Sequence, residues 1–142
     1  MNLELEKLVK QTELDRNSQL RFAYACVSRV SDSLEDESAI QAYKLFGSYL
    51  KGEVTETEFA KLAEDIKSIA VSHQGSKSID GTRHSAVSAT YALANAINAK
   101  VLEAAAYAAY SKVYGYGGYA VNDPESFKDE YNEQVRLLQD FL

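Results

Sequence analysis

Tryptophan is absent from this chain of 142 residues; proline, cysteine and methionine occur once each, and glycine only seven times. So few backbone breakers, beside 46% hydrophobic residues, exclude a disordered or collagen-like chain and leave little punctuation for many short strands. A single cysteine, Cys26, forms no internal disulfide, which fits a reducing compartment. Its neighbours Tyr24, Ala25 and Val27 mark a packed thiol, and no adjacent basic residue would hold it as a thiolate nucleophile. Long hydrophobic runs are missing too. The amino-terminal MNLELEKLVKQTELDR alternates acids with apolar residues, so neither a signal peptide nor a membrane span is expected, and a cytoplasmic location follows as the default.

Positive charge is scarce and unclustered. Lysine and arginine total 15 against 21 acids, a net charge of -6, and no basic stripe of the kind a nucleic-acid binder needs is present. The deficit is local. Asp32, Glu35, Asp36, Glu37, Glu53, Glu56, Glu58, Glu64 and Asp65 face only Lys44, Lys51 and Lys61, so the segment from Asp32 to Asp65 carries the whole net charge. That field favours a basic protein surface as partner, the alternative being an acidic face that is merely solvated.

What is present reads as helix. The length suits one domain, residues 1–142, able to bury roughly 68–70% of its unfolded surface. Leu5, Leu8, Val9 and Thr12 stand at helical spacing, and Asp15 to Ser18 supply caps for a second helix striped by Leu20, Tyr24, Val27, Val30 and Leu34. Acids at 35–37 open a third, striped by Ala39, Ala42, Tyr43 and Phe46 and stopped at Lys51-Gly52. Thr55 and Glu58 form a capping box ahead of Phe59, Leu62, Ile66 and Ile69. From Thr82 alanine dominates, giving a central element apolar nearly all round. Unbroken to Tyr114 it would run about 48 Å, against a radius of gyration near 14 Å for a compact chain of this size. A break is therefore expected between Asn95 and Lys100. Asp123-Pro124 announces the last helix, with Phe127, Tyr131, Val135, Leu138 and Phe141 as its buried stripe. The prediction is an all-α, single-domain bundle of six or seven helices around central alanine-rich ones.

Catalytic signatures are missing: no nucleophile elbow, no phosphate-binding glycine loop followed by Lys-Ser or Lys-Thr, no H-E-x-x-H. His73 and His84, eleven apart with no third ligand at suitable spacing, predict no metal site, and no cofactor is expected. Glu53-x-x-Glu56 and Glu130-x-x-Glu133 have the one-turn spacing by which helical enzymes hold magnesium. The first straddles a helix start and the second sits beside Asp129, Asn132 and Arg136, so both read as solvated-face charges.

Tyrosine is the anomaly. Tyr107, Tyr110, Tyr114, Tyr116 and Tyr119 crowd one segment that ends in YGYGGYAVN. The first three share a helix face and are expected to pack on the core with hydroxyls at its edge. Tyr116 and Tyr119 lie among glycines where no helix face dictates burial, and rigid amphipathic rings are favoured at protein interfaces. The partner-binding candidates are Glu53, Glu56, Glu64, Asp65, Tyr116 and Tyr119.

The succession RVSDSLEDESAIQAYKLFGSYLKGEVT, an amphipathic helix, then SAVSATYALANAINAK and VLEAAAYAAYSKVYGYGGYA, resembles the Imm-5 group of immunity proteins from bacterial polymorphic toxin systems over roughly residues 20–142. In that group a short acidic stretch leads to an Ala-Ile helix ending in Gly-Glu, here Asp36, Ala39, Ile40, Gly52 and Glu53, and tandem alanine-rich helices follow. The resemblance implies an all-helical, non-enzymatic protein that neutralises a cognate toxin, such as a basic toxin domain, by binding it. From another class, the alternative is a small-ligand or metal-dependent helical enzyme using paired carboxylates. A phage or host regulatory adaptor would share the binding logic.

Overall fold

A computed structural model describes residues 2–72 and 82–142. They form seven α-helices and no strand: α1 (Leu3–Gln11), α2 (Arg16–Ser28), α3 (Glu37–Leu50), α4 (Glu56–Ser72), α5 (Thr82–Ile97), α6 (Val101–Tyr114) and α7 (Lys128–Gln139). Short 3₁₀ turns at Ser31–Ser33, Gly118–Asn122 and Pro124–Phe127 join them. The predicted loop at 73–81, with His73, lies outside the described residues.

The helix boundaries follow from caps legible in the chain. Asp15 accepts the Ser18 N–H at 2.7 Å and opens α2; Asp36 accepts those of Ser38 and Ala39 at 2.8 and 3.2 Å and opens α3. Thr55 and Glu58 close their box reciprocally, Thr55 Oγ1 accepting from the Glu58 N–H at 3.1 Å and Glu58 Oε1 from the Thr55 N–H at 3.3 Å. Two helices end in Schellman motifs. At the end of α3, Glu53 N–H reaches Ser48 O and Gly52 N–H reaches Tyr49 O, with Gly52 at φ +81°, where glycine carries no steric penalty. The same bonding, Lys100 N–H to Asn95 O and Ala99 N–H to Ala96 O, ends α5 and produces the expected break, but here the left-handed residue is an alanine, Ala99 at φ 58°.

α5 and α6 form the central antiparallel hairpin, with α2 packed across both and α4 along α5. Alanine explains the closeness: Ala89, Ala92, Ala96, Ala104, Ala105 and Ala108 are fully or almost fully buried, and side chains this small let backbones approach. Ser85 and Ser111 lock the hairpin, each hydroxyl donating to the other's backbone carbonyl, at 3.0 and 2.8 Å. Larger side chains fill the space between layers, notably Phe22, Phe46, Phe59, Ile66, Leu93 and Leu138, each contributing about 1.5–3 kcal/mol by burial.

One polar row corrects the sequence reading. Glu130 does not sit on a solvated face: it is 2% exposed and takes the Arg29 guanidinium in a fork, Nε to Oε2 at 2.7 Å and Nη2 to Oε1 at 2.9 Å. One turn on, Gln134 is buried and donates to Ala105 O at 2.8 Å, stitching α7 to α6. Polar groups survive burial here because each finds its partner.

Candidate functional site

The acidic candidates are all exposed, but they are not gathered: Glu53 precedes α4, and α4 spreads Glu56, Glu64 and Asp65 around its axis. Glu56 and Asp65 are nine positions apart, about two and a half helical turns, and so point to opposite sides of the helix. Glu56 is engaged within the fold, where it accepts the Tyr49 hydroxyl at 2.6 Å; Tyr49 stacks on Phe59 at 3.7 Å between centroids, and Arg16 donates to that same hydroxyl at 3.1 Å. Glu64 pairs with Lys67 at 3.2 Å. Asp65 lines a small groove of about 230 Å³ between α3 and α4, with Leu45, Val54, Leu62, Glu58 and Lys61. Glu53 follows the Schellman turn of α3 and faces solvent.

Tyr116 and Tyr119 occupy the connector after α6 and are 50% and 78% exposed. Gly117 shapes that connector. Its φ of 126° disfavours any side chain, and a Cβ there would stand 2.6 Å from Tyr119 Cε1, so the Tyr119 ring lies over the space that only glycine leaves. The connector thereby presents two rings outward while Ala120 and Phe127 anchor it to α6 through Ala109 and Val113.

These two sets do not form one patch. Asn98 Nδ2 donates to Ala63 O at 3.1 Å, so α4 runs antiparallel to α5, and the Ser85–Ser111 bonds fix α6 antiparallel to α5. Glu53 and Glu56 therefore lie toward the end of the bundle where α5 turns into α6, and Tyr116 and Tyr119 lie at the other.

A second correction concerns Tyr107 and Tyr110. Expected on the core, they are exposed, and Tyr114 is half-buried. Alanine takes the inward positions of α6 because the α5 contact leaves no room for rings, so the tyrosines are turned to the opposite side. Rings on neighbouring elements flank them: Tyr107 stacks on Tyr91 at 5.3 Å, Tyr114 on His84 at 5.1 Å, and Tyr110 meets Phe127 edge-on at 5.3 Å. The signal was in the sequence as the two alanine pairs Ala104-Ala105 and Ala108-Ala109, which define a core-facing side that excludes 107 and 110.

Among the described residues no group of three or more histidine, cysteine or acidic side chains is disposed to hold a metal. In the Glu130-x-x-Glu133 pair, Glu130 is bound by Arg29, and Glu133 is bonded by Arg136, which holds its carboxyl below the ordinary range. Cys26 is fully buried, and burial, reinforced by the nearby Glu130 charge, pushes its thiol far above the ordinary range, so it is inert at neutral pH. No helix among the described residues is long and apolar enough to cross a membrane. No protein-family model, curated protein or solved structure matches the chain.

Proposed function

We propose that the protein is an inhibitory binding module, of the kind the Imm-5 resemblance implies, which neutralises a basic protein partner by docking on it. The observation that supports this reading most is the glycine-shaped connector that holds Tyr116 and Tyr119 out to solvent. Exposing rigid rings at a fixed position forgoes their burial, and binding energy recovers it, as at the aromatic centres of protein interfaces. The exposed carboxylates Glu53, Glu64 and Asp65 add a field that speeds encounter with a basic surface. Cytoplasmic action on a toxin domain belongs to this same proposal.

Capture of partners by the tagged protein at low and high salt, with mass spectrometry, tests it. One stoichiometric basic protein, released as salt rises, is the expected result; reversing Glu53, Glu64 and Asp65 to lysine then slows its association and flattens the salt dependence. An association rate that ignores the three reversals would reduce the acids to a solvated face. Capture of a partner that is not inhibited would favour the adaptor reading. A rise in melting temperature with millimolar magnesium would favour the carboxylate enzyme, since a ligand of the native state alone must stabilise it.

A further inference from the structure

The α6 face that turns away from the core carries Glu103, Ala106, Tyr107, Tyr110 and Tyr114, and no lysine or arginine. A helix face left to solvent is ordinarily rich in charge of both signs; this one is aromatic with a single acid. Beside its first turn, between α1 and α6, opens a cleft of about 290 Å³. Leu5, Leu102, Ala105 and Ala106 give it an apolar lining, and among the described residues the charged ones that line it are Glu6 and Glu103. Lys10 Nζ bonds Glu6 at 2.7 Å from the next turn of α1, whereas Glu103 makes no ion pair among the described residues. Asn2, the remaining polar lining residue, has its amide nitrogen committed to Tyr131 O at 3.1 Å and Gln134 Oε1 at 3.4 Å, so it offers no donor to an anion.

We infer that this cleft receives a basic side chain, arginine foremost, projected by the protein partner onto the α6 tyrosine face. The inference rests on the binding reading above and names its anchor. An aliphatic stem ending in a cation matches both halves of the lining: methylenes cover the leucine and alanine surface while the head meets Glu103. Arginine is favoured over lysine because its planar guanidinium can meet a carboxylate such as Glu103 in a two-point fork, which an ammonium cannot. At about 290 Å³ the cleft lies at the lower limit of small-ligand sites, large enough for one long side chain.

The test is an amide NMR titration of the intact chain with N-acetyl-arginine methylamide, and in parallel with the norleucine analogue, which keeps the stem and lacks the charge. The expected result is saturable shifts at Leu5, Leu102, Ala105 and Ala106 with the arginine probe, and much weaker ones with norleucine. Glu103→Gln, an exposed and fold-neutral change, should weaken the probe about two- to fivefold, while Glu64→Gln on α4 leaves it unaltered. Equal shifts from both probes, shifts spread evenly over all carboxylates, or none at the solubility limit would each overturn the inference. The titration needs no partner, so its failure is separable from a failed capture. Equally, a captured basic partner indifferent to Glu103→Lys would remove the cleft from the interface and leave the inhibitory reading standing.

Discussion

Arg29 and Glu130 show how much a single pair can organise. They join α2 to α7 across 101 positions of sequence, and Glu130 holds the guanidinium above its already high ordinary range. Removing only the cation strands a carboxylate that is almost wholly buried. Arg29→Met should therefore cost about 2–4 kcal/mol by urea unfolding, the upper end reduced because Arg29 is one-third exposed, while adding Glu130→Leu should restore most of it. Asp15 supplies a pH-dependent counterpart. The Ser18 N–H, then the Ser18 side chain, lower its carboxyl below the unfolded value, so its stabilisation is full above that value and fades as pH falls through the folded one. Asp15→Asn, which still accepts the bond, should lose less stability than the parent between about pH 5 and 2, measured as the difference between their unfolding curves. A parallel pair of curves would show the cap to be indifferent to charge. Asp15 was readable as a cap because capping is local; the burial of Glu130 was not, because its partner stands on another helix and its neighbours in the chain are polar.

At the scale of helices, the alanine hairpin sets both the core and the surface. Because small side chains occupy the α5–α6 contact, the backbones approach, and the tyrosines of α6 are displaced outward instead of packing within. The break between the two helices was legible from length alone, yet its chemistry was not: glycine closes α3, whereas Ala99 closes α5 in the left-handed region. That conformation crowds a Cβ against the backbone, so Ala99→Gly should stabilise the protein by about 0.5–1 kcal/mol despite glycine's greater unfolded entropy. A loss in chemical unfolding would mean that the Ala99 methyl contributes more by packing than it costs by strain. The capping box of α4 and the stop at Gly52 were likewise visible beforehand, since each is encoded within four consecutive residues.

For the molecule as a whole, helix order and the central alanine layer could be read from periodicity, but the grouping of surface residues could not. Glu53, Glu56, Glu64 and Asp65 look like one acidic segment in the chain, yet Glu53 precedes α4, the twist of α4 turns Glu56 and Asp65 to opposite sides, and the Tyr49 hydroxyl engages Glu56. The tyrosines behave oppositely: split by sequence reasoning into core and loop groups, Tyr107, Tyr110, Tyr116 and Tyr119 are all exposed in the folded chain. Binding, on this account, centres on rings with carboxylates steering from a distance. The most direct test is the affinity of the captured partner for the double variant Tyr116→Ala, Tyr119→Ala, read beside its unfolding free energy. Stability should stay within about 0.5 kcal/mol, as for surface substitutions, while affinity falls at least about tenfold, near 1.4 kcal/mol. Undiminished affinity with an intact fold would contradict the account.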